Sequence, residues 1–123
     1  MNPEFTQPFA KDWIAAWNAH DLERILAFCS DDFTMTSPKI ITIANDPSGT
    51  LQGKAAVREY WGAGLRKYPE LYFDLISVLA GVGSVTLYYN NQMVPGAPGV
   101  FSAEVLHFNA EQKVHRGFAH YAV

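Results

Sequence analysis

"WIAAWNAHDLERILAFCSDDFTMTSP", residues 13–38, changes its apolar period partway along, and that change decides the fold. On its N-terminal side, Phe9, Ala10, Trp13, Ile14 and Trp17 recur at helical spacing after Thr6, a candidate N-cap, with Pro8 in the first turn. The "NAHD" of residues 18–21 interrupts this stripe. Asp21 can then cap a second helix with Leu22, Ile25, Leu26 and Cys29 on its apolar side. From Phe33 the period becomes two: Phe33, Met35 and Ser37 share one face, Thr34 and Thr36 the other, and Pro38 limits further ladder pairing. A helix hairpin leading into a short strand is predicted. Asp31 and Asp32 fall in the connection between them, where acids are ordinarily solvated, so they read as a turn and not as an acid/base pair.

Downstream, "KIITI" extends or pairs with that strand, and "ANDPSGTLQG" is dense in turn residues and lies on the surface. "KAAVREYWGAGLRKY" is a third helix with Val57, Trp61, Leu65 and Tyr68 on its apolar stripe. "LYFDLISVL", "SVTLYYNN", "GVFSAEVLHFN" and "KVHRGFAHYAV" are each long enough for a strand, and four in series favour an antiparallel meander. Val85, Leu87 and Tyr89 face one way and Thr86, Tyr88 and Asn90 the other, while Glu104, Leu106 and Phe108 oppose Val105, His107 and Asn109. The result is one α+β domain over residues 1–123, with three N-terminal-half helices in the concavity of a bent sheet. Both sheet faces carry apolar groups, and no chain remains to cover the convex one. A homodimer through that face is the expected solution.

Composition narrows the function classes. Hydrophobic residues make up 49% and aromatics 14%, with only 17% charged, so apolar surface must be hidden in a core, a pocket or a subunit contact. A formal charge of -3 and no cluster of Lys or Arg argue against nucleic acid and against anionic membranes. Nothing at the N-terminus reads as a signal segment, and the cytoplasm is the expected compartment. Cys29 has no disulfide partner and suits a buried thiol. His20, His107, His115 and His120 lack metal-ligand spacing, and the single Gly-Lys of "GKAAVREYW" lacks the upstream glycines of a phosphate loop; no metal and no organic cofactor are expected.

With this order established, "WIAAWNAHDLERILAFCSDDFTMTSP", "LQGKAAVREYW", "YPELYFDL" and "FNAEQKV" resemble the nuclear transport factor 2-like superfamily, in particular its SnoaL-like and ketosteroid-isomerase-like members. The resemblance implies a cone-shaped curved antiparallel sheet enclosing the helices, usually dimeric. It does not imply a reaction, since members include isomerases, cyclases, dehydratases, epoxide hydrolases and noncatalytic proteins. Ketosteroid isomerases use a carboxylate base and, as oxyanion donors, a Tyr and a protonated Asp. Alignment places Ser37 at the base, Trp13 at the Tyr and Glu104 at the protonated Asp. The same alignment points Gly117, Ala119 and Tyr121 inward and His120 outward. SnoaL-like cyclases usually carry a ring and an acid where Gly117 and Ala119 stand, a change that gives the pocket room and removes chemistry.

Glu104 is therefore the candidate catalytic residue. A carboxyl between apolar neighbours stays protonated near neutrality and can act as donor or acid; the other reading is a glutamate paired with an internal Arg or Tyr. Trp13, Trp17, Met35, Ser37, Tyr60, Trp61, Tyr89, Leu106 and Tyr121 are the candidate ligand-binding residues, a set that could clamp a flat apolar molecule or simply fill the core. "QMVPGAPGV" is a hairpin connection bordering the mouth, either lid or inert loop. Two functional readings stand. One is a protein that binds a small apolar or aromatic molecule and, with Glu104 as acid, serves as an isomerase, cyclase or lyase without a cofactor. The other is a noncatalytic dimeric binding or scaffold module.

Overall fold

The computed structural model describes residues 2–123. Helix α1 runs Pro3–Asn18, earlier than the Thr6 cap expected from the sequence: Asn2 caps it by accepting from the Glu4 N–H at 2.9 Å, and Pro3 takes the first helical position. Pro8 thus lies inside the helix rather than in its first turn, while Phe9, Trp13, Ile14 and Trp17 are buried as their spacing requires. His20 turns the chain with a left-handed φ of 54°, and Asp21 accepts from the Arg24 N–H to start α2, Leu22–Ala27.

Strand β1 spans Cys29–Thr36. Cys29, expected on the second helix, opens this strand instead, buried and with its thiol pushed up to about 12 by desolvation. Asp31 and Asp32 are also in β1, at the irregular stretch of its pairing, yet both are exposed as expected; Asp31 lies 3.8 Å from Lys54. The next element overturns the sequence reading. Residues Pro38–Ile43 form helix α3, not a strand, because Ser37 at φ −157°, ψ 141° is its N-cap, accepting from the Lys39 N–H at 3.2 Å with Pro38 at the first position. The Ser-Pro pair that ends the strand also begins a helix. Inside the turn-rich segment lies a further short strand, β2, Thr50–Gln52, antiparallel to β1. Helix α4, Lys54–Lys67, follows Gly53, whose φ of 92° favours glycine.

Strands β3 (Tyr72–Ala80), β4 (Ser84–Gln92), β5 (Val100–Phe108) and β6 (Val114–Tyr121) form the predicted antiparallel meander. They join β1 and β2 in one curved, unclosed six-stranded sheet of order β2-β1-β6-β5-β4-β3. The β1–β6 pair is parallel, so the sheet is mixed at that one seam, and the helices number four where three were expected. α1 packs on β3 and α4 on β1, leaving the other face of the sheet to solvent. Between helices and sheet runs a continuous set of ring contacts: Trp61 meets Trp13, Trp17 and Phe33 at centroid distances of 5.9, 5.2 and 5.6 Å, and Phe73 meets Tyr89 at 4.6 Å.

Candidate functional site

Parity along β5 puts Glu104 on the inner face of the sheet, opposite Leu87 of β4 and Ala119 of β6. Only 4% of it is exposed. Its Oε1 accepts from the Trp13 indole N–H at 3.1 Å, and among the described residues neither an Arg nor a Tyr is paired with it. Burial raises its pKa to about 7, with the Trp13 bond pulling modestly the other way. Burial thus brings both states of this carboxyl within reach near neutral pH: a proton donor in one and an acceptor in the other.

The carboxyl borders a cavity of about 70 Å³. Each element contributes by its own period. α4 supplies Tyr60, Trp61 and Gly64 from one helical face and its C-cap Tyr68, and β4 with its continuation supplies the alternating Tyr89, Asn91 and Met93. Trp17 comes from α1, Met35 from β1, Tyr121 from β6, Leu71 from just before β3 and Phe73 from β3 itself. α3 adds Lys39 and Ile43, four residues apart on the same side of the short helix. Of the residues singled out from sequence, Glu104, Trp17, Met35, Tyr60, Trp61, Tyr89 and Tyr121 thus share one wall.

Trp13, Ser37 and Leu106 do not line it. The Trp13 indole is committed to Glu104 and packed among Phe9, Phe28 and Trp61; Ser37 caps α3 and its side chain also hydrogen-bonds the Tyr60 and Tyr121 hydroxyls from behind the wall; and Leu106 lies between Val85 and Gly117 in the fully buried core. Gly117 gives the cavity no room either. A Cβ there would stand 3.0 Å from Met35 Sδ, 3.1 Å from Phe33 Cζ and 3.3 Å from Leu106 Cδ2, so neighbouring side chains already fill the space that glycine leaves. His120 is exposed, and Ala119 faces inward, buried.

Lys39, Asn91 and Met93 line the wall without having been among the candidates. Lys39 is half-buried with Nζ 4.3 Å from the Tyr121 ring centre and 3.6 Å from Met93 Sδ, and burial lowers its pKa to about 8. Met93 shows that the 92–99 connection reaches the cavity edge. Trp17 and Asn91, buried, each carry a polar atom without a partner among the described residues, the indole Nε1 and the amide Oδ1. Burial also raises the Tyr60, Tyr89 and Tyr121 hydroxyls, with Ser37 opposing the shift at Tyr60 and Tyr121. Asn91 follows from extending the Val85, Leu87, Tyr89 alternation by one step. Lys39 could have been found only by reading Ser37-Pro38 as a helix start. Among the described residues no three His, Cys, Asp or Glu side chains gather as metal ligands do. Among the described residues no helix is long and apolar enough to cross a membrane.

A curved sheet wrapped around helices is the fold of proteins of the nuclear transport factor 2-like and cystatin-like kind. The chain belongs to the SnoaL-like domain family, which matches residues 10–119. It is similar to a SnoaL-like protein of unknown function from Burkholderia thailandensis: 44% identity, 99% of this chain and 98% of that one covered, TM-score 0.92. A cystatin-like-fold protein of unknown function from Methylobium petroleophilum shares the fold at 13% identity, 100% and 79% coverage and TM-score 0.79. So does an Agrobacterium tumefaciens protein provisionally described as an isomerase of the SnoaL-like family, at 15% identity, 96% and 97% coverage and TM-score 0.75. Among curated proteins none matches.

Proposed function

We propose that this protein binds a small, largely apolar molecule with one polar end and that Glu104 moves a proton to or from it, as in an isomerase, cyclase or lyase working without a metal or organic cofactor. One observation carries the reading: a buried carboxyl in the wall of an aromatic cavity, its pKa raised by burial and, among the described residues, held by the Trp13 hydrogen bond alone. A general acid or base works best with a pKa close to the working pH. The unpartnered Trp17 N–H and Asn91 Oδ1 are what a polar substituent would satisfy, since buried groups left unmatched cost about 1–3 kcal/mol each.

Size limits the ligand. A hollow of about 70 Å³ is well below the ~300–1,000 Å³ of sites for drug-sized molecules, so the expected ligand is a single ring or short chain and not a polycycle. Small cyclic enones, phenols and indoles at millimolar concentration are expected to include one that raises the melting temperature, an effect that Glu104→Gln weakens. No stabiliser across such a panel would overturn the reading.

A second reading, a noncatalytic module with a vestigial cavity, draws support from Ser37. It occupies the position where the resemblance implies a base, and its hydroxyl is engaged with α3. Binding without turnover, unaltered by Glu104→Gln, would favour that module. In either case we propose a homodimer joined through the convex face of the sheet.

A further inference from the structure

Lys39 and Glu104 both line the cavity, and the strand register sets them toward different ends of it. On the inner face of the sheet Glu104 lies level with Leu87 and Ala119. One inward step along, Ser102 lies level with Tyr89 and Tyr121, and a further step brings Val100 level with Asn91. Each step is two residues, about 7 Å along a strand. Lys39 Nζ stands 4.3 Å from the Tyr121 ring centre and 3.6 Å from Met93 Sδ, so it sits toward the Asn91–Met93 end, away from Glu104. Trp17 joins that end: its ring packs at 5.3 Å on Phe73, the cross-strand partner of Asn91.

That end has donors and lacks an acceptor for them. An ammonium carries three N–H donors, and Lys39 directs its own at a ring face and a thioether, both weak partners that suit a cation. Among the described residues no carboxylate is paired with it. Burial lowers its pKa only to about 8, so the side chain is charged at pH 7. The Trp17 indole, on a side chain only 7% exposed, donates to nothing among the described residues, and the Asn91 amide, 4% exposed, leaves its Oδ1 unmatched. A half-turn of that amide exchanges its oxygen for its NH2, so Asn91 can donate as well as accept. One cation and two neutral donors in aromatic walls suit a monoanion on a hydrocarbon body. A phosphate carries more charge and takes several cations or a cradle of backbone N–H groups.

We propose that the ligand is a small apolar monocarboxylic acid whose carboxylate accepts from Lys39, with Trp17 and Asn91 as neutral donors, and whose hydrocarbon part runs past Tyr89 and Tyr121 toward Glu104. The proposal deepens the ligand-binding reading above and rests on it: it names the ligand class and gives the two ends of the cavity different tasks, anchoring at Lys39 and proton transfer at Glu104. An ion pair in a low-dielectric hollow is stronger than one at the surface, and the anion supplies the charge that the half-buried ammonium lacks. The strand step between Lys39 and Glu104 also keeps the bound carboxylate apart from the Glu104 carboxyl.

The test titrates the isotope-labelled full chain with phenylacetate and hexanoate, each beside its own primary amide as a neutral match in shape, and follows backbone, indole and side-chain amide resonances by NMR. The carboxylates should bind about 10- to 100-fold more tightly than their amides, the range of a hydrogen bond to a charged group. On binding, the Trp17 indole N–H and the Asn91 side-chain amide should move. Lys39→Met, which keeps an apolar side chain of similar length, should bring the ratio close to unity, whereas Lys39→Arg, which keeps the charge, should hold it well above; circular dichroism checks that both fold. Glu104→Gln removes a negative charge and so should not lower the ratio. Equal affinity for acid and amide in the unaltered chain, or a preference that survives Lys39→Met, would overturn the carboxylate anchor and keep the binding reading. Binding of neither acid nor amide, or shifts confined to the surroundings of the exposed Lys11, Lys67 and Lys113, would overturn both.

Discussion

Glu104 costs the fold stability in the ionisation state that a base would need. Its folded pKa of about 7 lies above the ordinary 4.5, so between those values the native state binds the extra proton and stability falls as pH rises, levelling off once the folded carboxyl has ionised. The loss is on the order of 3 kcal/mol from the size of the shift. Urea unfolding at about pH 5 and about pH 8 should show this fall, and Glu104→Gln should flatten it; equal slopes in both proteins would contradict the assigned environment. Lys39 has the opposite sign in a separate window. Its folded pKa is lowered from 10.5 to about 8, so stability rises from about pH 8 toward 10.5. Trp13→Phe removes the indole N–H that favours the ionised carboxyl, so the midpoint of the Glu104 transition should move upward and stability should drop by about 1–3 kcal/mol. These residues were not equally legible. Glu104 and Asn91 follow from strand parity alone, but the Trp13–Glu104 contact joins positions far apart in sequence, and nothing in a one-dimensional period reports which indole reaches the carboxyl.

At the scale of elements, α3 is where local chemistry and residue preference diverge. "KIITI" is rich in β-branched residues, which favour strands, and the proline before it reads as a strand terminator. The Ser37 hydroxyl decides otherwise by satisfying the Lys39 N–H that the first helical turn leaves free, and Pro38 has no N–H to satisfy. That helix carries Lys39 and Ile43 into the cavity, so these two site residues went unread with their element. Ser37→Ala should cost about 0.5–2 kcal/mol by loss of the cap. If α3 holds the cavity wall in place, the same change should weaken ligand stabilisation as well, while Ser37→Thr, which keeps the hydroxyl, should spare both; melting curves with and without ligand provide the check. The long elements, by contrast, were legible from period alone. α1, α4 and β3–β6 each repeat their apolar residues often enough to outvote one misplaced proline or glycine, whereas six-residue α3 and three-residue β2 do not.

At the scale of the whole molecule, the sheet is covered on one face only. The uncovered face carries Tyr72, Leu79, Tyr88 and Phe101, all exposed, with Tyr88 and Phe101 stacked across neighbouring strands at 5.9 Å and Phe118 of β6 on the same face. Exposed apolar groups gathered on one broad face mark an interaction surface more often than scattered single residues do. A second copy of the same chain is the partner that always accompanies it, and a two-fold contact lets one patch serve both sides. We therefore expect light scattering at micromolar concentration to give the mass of two chains and the melting temperature to rise with protein concentration, because dissociation accompanies unfolding. Phe101→Glu with Tyr88→Glu should give single chains with a concentration-independent melt. Both positions are exposed in the single chain, so the substitutions should leave its own fold within about 0.5 kcal/mol. The cavity opens on the other side of the sheet, among the helices, so a monomeric variant should still bind its ligand; loss of binding together with dimerisation would instead mean that the convex contact sets the curvature on which the cavity depends.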